Sequence, residues 1–182
     1  MTILIAPDTF KDSLPANKVA EAIAAGIRMA NLTAKTILFP LADGGEGTLE
    51  VMQQHWSDTT CEMVAHGPLK RMMTATFLIK NSAHAAFIEM AQASGLQRLT
   101  LDERNPLKTT TLGTGEMIKE AISKGARRIV LGIGGSATND CGMGMLEALG
   151  WRFLDENGDR LAPIGQNLER VESIDDAGVL PP

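Results

Sequence analysis

The stretch GIGGSATND, residues 132–140, combines three glycines with four small oxygen-bearing side chains. The apolar run 129–131 leads into it, so we expect the stretch to connect a buried strand to a following helix. Backbone amides at a helix entrance, helped by hydroxyl donors, are suited to bind a phosphate. The candidate phosphate-binding residues are Gly134, Gly135, Ser136, Thr138 and Asn139, and the candidate metal ligand is Asp140.

Two other interpretations of this stretch stay open on the sequence. Gly132, Gly134 and Ala137 match the dinucleotide fingerprint G-x-G-x-x-A, but residues 138–140 and further glycines intervene before the expected helix. The other interpretation is a glycine turn in which Asp140 caps the helix. The sequence contains no Walker A motif and no protein-kinase signature, which excludes a P-loop ATPase and a protein kinase.

A second loop, ADGGEGT at residues 42–48, places Asp43 and Glu46 around Gly44 and Gly45. A structural turn needs the glycines but not the acids. Two carboxylates beside a phosphate would repel it, and a bridging Mg²⁺ removes that conflict. We therefore expect Asp43 and Glu46 to act with a metal, and the two glycines to line a phosphate or substrate site.

Two further acidic positions are candidates. Asp8 follows the apolar run 3–6, where it can serve as a general base or a metal ligand, and Lys11 one turn later can neutralise a phosphate or carboxylate. Glu89 lies inside the apolar stretch AAFIEMA, so it is either a functional group or half of a buried ion pair.

The composition limits the classes of protein to which this chain can belong. The 182 residues suffice for one soluble globular domain, and the net charge of −5 argues against nucleic acid or an anionic membrane as the main partner. No apolar segment approaches the length of about 20 residues that a membrane span needs. Two cysteines without metal-type spacing and the absence of a signal-peptide pattern predict a cytoplasmic protein without a disulfide.

Short apolar runs alternate with helical periodicity, which predicts an α/β fold with a largely parallel, Rossmann-like or flavodoxin-like core. Polar loops follow several predicted strands and would meet at one sheet edge. We assign residues 1–60 and 101–150 to this core. Residues 61–100 and 151–182 form a smaller β-rich part, with one hairpin over 74–90 and a second across RFLDENGDRL, and no further strand in the tail IDDAGVLPP.

Five segments in this order resemble the bacterial-type glycerate kinases, the glycerate 2-kinase family. They are APDTFKDSL, ADGGEGT, FIEMAQASGL, TTTLGTGEMI and GIGGSATNDCGMGMLEALG, and the resemblance extends from residue 3 to about residue 176. It implies a two-domain α/β enzyme that uses ATP and Mg²⁺ to phosphorylate D-glycerate, usually to 2-phosphoglycerate and otherwise to 3-phosphoglycerate. Members of this family are about twice as long, so the chain resembles their N-terminal half.

Residue by residue, the resemblance adds Ser94 of ASGL and Thr114 and Gly115 of GTGE to the substrate or phosphate site. It places Asp8, Lys11 and Asp43 in catalytic positions, with exchange of roles among the aspartates left open. Within the matched motifs Cys141, Met143 and Thr9 depart from the usual family residues without removing a proposed catalytic group. The alternatives are a non-catalytic half-enzyme that binds a sugar acid or nucleotide, and an NAD-dependent oxidoreductase. A complementary C-terminal half or a homo-oligomer is the expected protein partner.

Overall fold

The computed structural model describes residues 1–10, 13–30, 33–56 and 58–179 as a mixed α/β structure. The strands are β1 (Thr2–Ile5), β2 (Lys35–Leu38), β3 (Thr59–His66), β4 (Met72–Lys80), β5 (Ala85–Glu89), β6 (Arg128–Gly132), β7 (Arg152–Leu154) and β8 (Ser173–Asp175). The α-helices are α1 (Ala16–Ala30), α2 (Thr48–His55), α3 (Ala91–Ser94), α4 (Leu112–Ser123) and α5 (Met143–Ala148). Short 3₁₀ helices cover Asn81–Ala83, Leu96–Arg98, Leu101–Glu103 and Gly165–Arg170. The predicted fold class is confirmed.

The N-terminal unit pairs β1 with β2 in parallel, joined by α1 as a crossover helix. Ile5 of β1 packs with Ala20 and Ala24 of α1, and all three are buried. The alternating side-chain direction of a strand therefore directs Ile5 toward α1 and the neighbouring Leu4 away from it.

The second sheet has the order β3-β4-β5-β6. The expected hairpin over 74–90 is present as the antiparallel pair β4–β5, and β6 then pairs in parallel with β5. Phe77, Ile88 and Met117 of α4 form a fully buried core on one face. Leu78 and Phe87 pack with Leu49 of α2 on the other, which explains why every residue of β5 is buried.

The pairing of β5 with β6 crosses the predicted boundary between the core and the β-rich part. The prediction places residues 61–100 in the β-rich part and residues 101–150 in the core. In the structure the register Ala85↔Arg128 to Glu89↔Gly132 joins these two segments in one continuous sheet.

The C-terminal part differs from the sequence prediction in its pairing. The turn of the predicted second hairpin is present, with the Gly158 amide donating to the Asp155 carbonyl at 2.9 Å. The returning chain, however, makes only an isolated bridge between Leu154 and Arg160, and β7 pairs instead with β8. The expectation of no strand in the tail was wrong, because a strand of three residues is too short to show a periodic pattern.

No helix in the described part of the chain combines the length and the apolar character needed to cross a membrane.

Candidate active-site cleft

A cleft of about 700 Å³ lies where the carboxyl ends of β1, β2, β5 and β6 come together. Its lining includes six of the residues that the sequence predicted. These are Asp8, Asp43, Gly45, Glu46, Gly134 and Gly135. They come from three loops far apart in the sequence, each following a parallel strand, as expected for a ligand site in an open α/β sheet.

The two glycine-rich loops of the cleft pack backbone against backbone. The Gly134 amide donates to the Gly44 carbonyl at 3.0 Å, and a Cβ on Gly134 would lie 2.5 Å from the Cα of Gly45. Glycine is therefore required at 134 by close approach of the loops. Because the Gly134 amide is already hydrogen-bonded, Gly135, which is exposed, is the better placed of the two glycines for an anion.

The acidic side chains facing the cleft are largely open to solvent. Asp8 and Asp43 are exposed, and each uses one oxygen locally, with Asp8 accepting from the Thr9 amide at 2.6 Å and Asp43 from the Gly45 amide at 2.9 Å. Their second oxygens face no hydrogen-bond donor among the described residues. Among the residues that the structure describes, no group of three side chains forms a ready-made metal cage.

Glu89 is the buried acid at this end of the sheet. Its Oε2 accepts a hydrogen bond of 2.7 Å from the Leu49 amide in the first turn of α2, and its Oε1 accepts no hydrogen bond of good geometry from a described residue. Burial raises the pKa of this carboxyl, opposed by the amides of Leu49 and Gly47 and by the Gln92 side chain. The Glu46 carboxylate raises the pKa slightly further. Among the residues that the structure describes, Glu89 has no cationic partner, and it caps α2 from the end of strand β5.

The cleft also contains polar groups that the sequence analysis did not select. Gln92, Gln97 and the cation Arg98 line it, together with the acid Glu50. Gln92 lies in α3, and Gln97 and Arg98 lie in the 3₁₀ helix after it. These three residues therefore come from the segment that follows Glu89 at the end of β5. Gln92 lies within the FIEMAQASGL segment, and Gln97 and Arg98 follow it directly. This position was the only sequence signal, since an isolated glutamine or arginine in a short turn shows no distinctive pattern.

Several predicted site residues lie outside the cleft. Ser94 and Thr114 are both fully buried and share a hydrogen bond of 2.7 Å between their hydroxyls. Ser136 and Thr138 likewise bond to each other, at 2.8 Å. Gly44 and Asn139 do not line the cleft either, and Lys11 lies outside the described residues.

The residues of the GTGE segment make packing and hydrogen-bond contacts at the start of α4. Gly115 faces the backbone of Met145 in α5, leaving no room for a side chain. Glu116 accepts from the His66 backbone amide at 2.8 Å, and its other oxygen lies 2.7 Å from the His66 ring nitrogen Nδ1. These contacts hold α4 against β3 and α5, and neither Gly115 nor Glu116 is among the residues that line the cleft.

Asp140 occupies a buried position where two helices begin. It is 1% exposed, and its carboxylate accepts from the amides of Thr111 at 2.8 Å, Gly142 at 3.1 Å and Gly144 at 3.2 Å. The Thr111 hydroxyl adds a further bond at 2.9 Å. Both carboxylate oxygens thus accept hydrogen bonds at the two helix starts, as the capping interpretation expects. The metal-ligand role of Asp140 stays a prediction.

Residues 3–182 match the model described as the glycerate kinase family. The chain belongs to the glycerate kinase family. It is 47% identical over 179 residues to a glycerate kinase of Bacillus subtilis, covering 98% of this chain and 47% of that protein. It is 44% identical over 181 residues to the glycerate 2-kinase of Escherichia coli, covering 100% of this chain and 48% of that protein.

A solved structure gives the same result in three dimensions. A crystal structure assigned as a glycerate kinase 2 from Salmonella typhimurium superimposes with a TM-score of 0.78 at 46% identity, covering 98% of this chain and 48% of that one. This glycerate kinase family chain therefore spans about half the length of the relatives that it matches.

Proposed function

We propose that this chain supplies one wall of an active site that phosphorylates D-glycerate with ATP and Mg²⁺. The observation that carries the proposal is the convergence of Asp8, Asp43 and Glu46 on one cleft, in a chain that belongs to the glycerate kinase family. Phosphoryl transfer needs mainly positioning and charge neutralisation, which loops at the carboxyl ends of parallel strands can provide.

The donor set of the cleft fits Mg²⁺. Exposed carboxylates are hard oxygen ligands, and Mg²⁺ is usually held by one or two of them together with waters and substrate phosphates. Asp43 and Glu46 would hold it, with Asp8 as an alternative ligand. When bound, the ion would neutralise charge on the transferred phosphoryl group. The acidic loops alone would repel ATP, which is why the proposal includes the metal.

The remaining groups divide between base and anion binding. Asp8 lies in the loop after β1, and one of its oxygens accepts no hydrogen bond from a described residue; it would accept the proton of the attacking hydroxyl. Arg98 would bind the carboxylate of glycerate, a task for which a planar guanidinium is well suited, and Lys11 would assist there or at the phosphoryl group. Gly135 would contribute its backbone to phosphate binding.

We propose 2-phosphoglycerate as the product, in line with the E. coli relative, which is a glycerate 2-kinase. The alternative product is 3-phosphoglycerate, and separating the two isomers by chromatography against standards decides between them. A cytoplasmic location belongs to the same proposal, since ATP is the expected phosphoryl donor and both cysteines are free thiols.

The test is a coupled assay of ADP formation with D-glycerate, on this chain and on the double variant Asp8→Asn/Asp43→Asn. Turnover should fall by at least about a hundredfold, because a base and a metal ligand are removed together. The matched control is Asp159→Asn/Asp176→Asn, which removes two exposed charges outside the cleft and should leave the rate unchanged. Full turnover by the Asp8→Asn/Asp43→Asn variant would contradict the assignment.

The second candidate function is ligand binding without turnover, favoured by the half-length match to the relatives. In that case Mg-ATP and glycerate raise the melting temperature of the chain, but ADP forms only when the other half of a relative is added. A melting-temperature increase with NAD and none with Mg-ATP would support the oxidoreductase alternative instead.

A further inference from the structure

The two oxygens of the Glu89 carboxyl have different surroundings. Oε2 accepts the hydrogen bond of 2.7 Å from the Leu49 amide, which fixes the orientation of the carboxyl group. Oε1 is buried and accepts no hydrogen bond of good geometry from a residue that the structure describes. A buried acceptor without a partner costs stability, and a functional role is one of the usual reasons why a native protein keeps such an atom.

The position of Glu89 links this unpartnered oxygen to the cleft. Glu89 is the last residue of β5, and it lines the cleft although its side chain is 0% exposed. Asp8 and Arg98 line the same cleft from the ends of two other segments. A ligand held by these two residues therefore lies in the space onto which the Glu89 carboxyl borders.

The Gln92 side chain is the polar group beside this carboxyl on the cleft side. It is half-buried, lines the cleft and lies close enough to Glu89 to lower the pKa of the carboxyl, but its geometry leaves Oε1 unsatisfied. The Gln92 carbonyl oxygen accepts from the Arg98 guanidinium at 3.4 Å, which is long for a hydrogen bond. The Gln92 side chain can therefore turn aside at little cost and admit a small hydroxyl group to Oε1.

We propose that Glu89 is a specificity-determining residue, whose Oε1 accepts a hydrogen bond from the C3 hydroxyl of glycerate. The inference rests on the proposed function, in which the C2 hydroxyl attacks, Asp8 accepts its proton and Arg98 binds the carboxylate. The C3 hydroxyl is the one polar group of glycerate to which that scheme gives no partner. A hydroxyl can donate and a carboxyl oxygen can accept, so the two unpaired groups complement each other.

This contact would let the cleft distinguish 2,3-dihydroxy acids from 2-hydroxy acids. D-Lactate has the carboxylate and the C2 hydroxyl of D-glycerate but a methyl group at C3. With lactate bound, Oε1 of Glu89 would stay without a donor and would face an apolar group. Sites built to hydrogen-bond a substrate hydroxyl reject the analogue that lacks it, because the buried polar group of the protein is then left unpaired.

The experiment measures the dissociation constants of D-glycerate and D-lactate by isothermal titration, with Mg²⁺ and without ATP. The wild type should bind glycerate about 10- to 100-fold more tightly than lactate. Glu89→Met keeps a side chain of similar length but removes both oxygens, so the ratio of the two dissociation constants should fall to about one. In Glu89→Gln the carbonyl keeps the bond to the Leu49 amide and an NH₂ group replaces Oε1, so an intermediate ratio is expected.

The matched control is Glu50→Met, the same substitution at an exposed acid that lines the same cleft. Glycerate and lactate carry equal charge, so the loss of a cleft carboxylate at position 50 should change both affinities alike and leave their ratio unchanged. A general distortion of the cleft would likewise weaken both acids together. The ratio therefore reports the hydroxyl contact and not a structural role of Glu89.

Circular dichroism shows which variants are folded. An unchanged ratio in folded Glu89→Met would overturn the inference, and if that variant does not fold, an unchanged ratio in Glu89→Gln would do so. Equal binding of both acids by a wild type that forms ADP from ATP and glycerate would overturn the inference and leave the proposed function intact. A preference for glycerate that Glu89→Met abolishes would support the inference even if the chain forms no ADP. Binding of neither acid by the folded wild type would overturn both.

Discussion

Glu89 Oε2 accepts a hydrogen bond of 2.7 Å from the backbone amide of Leu49, across forty positions of sequence. The bond joins the end of β5 to the first turn of α2 and so connects the four-stranded sheet to the acidic loop that precedes α2. A carboxylate at the start of a helix is stabilised by the exposed amides and the helix dipole. The α2 entrance is thus occupied by a side chain of the protein and is not free for a phosphate.

The first prediction concerns the pH dependence of stability through Glu89. Burial raises its pKa above the ordinary value of 4.5, so the folded state binds a proton more tightly than the unfolded state. Its contribution to stability is fully present below pH 4.5 and is lost as the pH rises through the folded value. The variant Glu89→Gln cannot lose this contribution. The difference in melting temperature, wild type minus variant, should therefore fall as the pH is raised.

Differential scanning fluorimetry in EDTA measures this difference across the pH range. The control variant is Glu156→Gln, which makes the same chemical change at an exposed turn position. A Glu89→Gln difference that rises with pH would mean that the charged form is the one favoured by folding, and the assignment of burial as the dominant effect would be wrong.

The second prediction concerns the contact between the two cleft loops. Gly134→Ala places a methyl group 2.5 Å from the Cα of Gly45, so the loops must separate, and we expect a loss of about 1–3 kcal/mol in the free energy of unfolding. Gly26→Ala makes the same chemical change within α1, where nothing lies within 4 Å, and should stabilise by about 0.5–1 kcal/mol. Urea denaturation checks both. Equal effects of the two substitutions would contradict the close approach.

A third prediction separates the capping role of Asp140 from the metal role. Asp140→Ala leaves the amides of Thr111, Gly142 and Gly144 without their acceptor, which should cost about 2–5 kcal/mol of unfolding free energy. Asp140→Asn keeps one acceptor oxygen and should lose less. Urea denaturation gives the stability, and titration calorimetry gives the Mg²⁺ affinity of the Asn variant. Lost Mg²⁺ affinity at unchanged stability would support the metal role instead.

A fourth prediction concerns the two free thiols. Cys141 is exposed, whereas Cys61 is partly buried and its burial raises the pKa of the thiol. Because the thiolate is the reactive form, iodoacetamide should modify Cys141 about tenfold faster or more. Mass spectrometry of a labelling time course follows the two sites, and the variants Cys61→Ser and Cys141→Ser identify the peptides. Faster labelling of Cys61 would show that it is more accessible than the folded structure allows.

The fold was predictable where a periodic pattern extended over several turns or strand residues. The hairpin predicted over 74–90 is present as β4–β5. Strand β8 and its pairing with β7 were not predictable, because a strand of three residues is too short to show a periodic pattern and its pairing is decided by packing.

The candidate site was predictable in so far as topology decides it. Asp8, Asp43 and Glu46 gather in the cleft because the carboxyl ends of parallel strands meet at one edge. The pair Ser94–Thr114 and the capping of two helices by Asp140 depend instead on how α4 and α5 pack. Small polar residues after a strand look the same in sequence whether they face a ligand or satisfy a buried helix end.

The order of the four-stranded sheet has a consequence for synthesis of the chain. All its strands lie between residues 59 and 132, and the helix α4 that covers one face lies within the same interval. As the chain leaves the ribosome, this sheet can complete its hydrogen bonds and close its core before the residues that follow Gly132 have left the exit tunnel. Strands β3, β4 and β5 each pair with the next strand in sequence, which favours rapid formation of this part of the sheet. The sheet can thus be in place as a surface on which Gly134 and the residues after it fold.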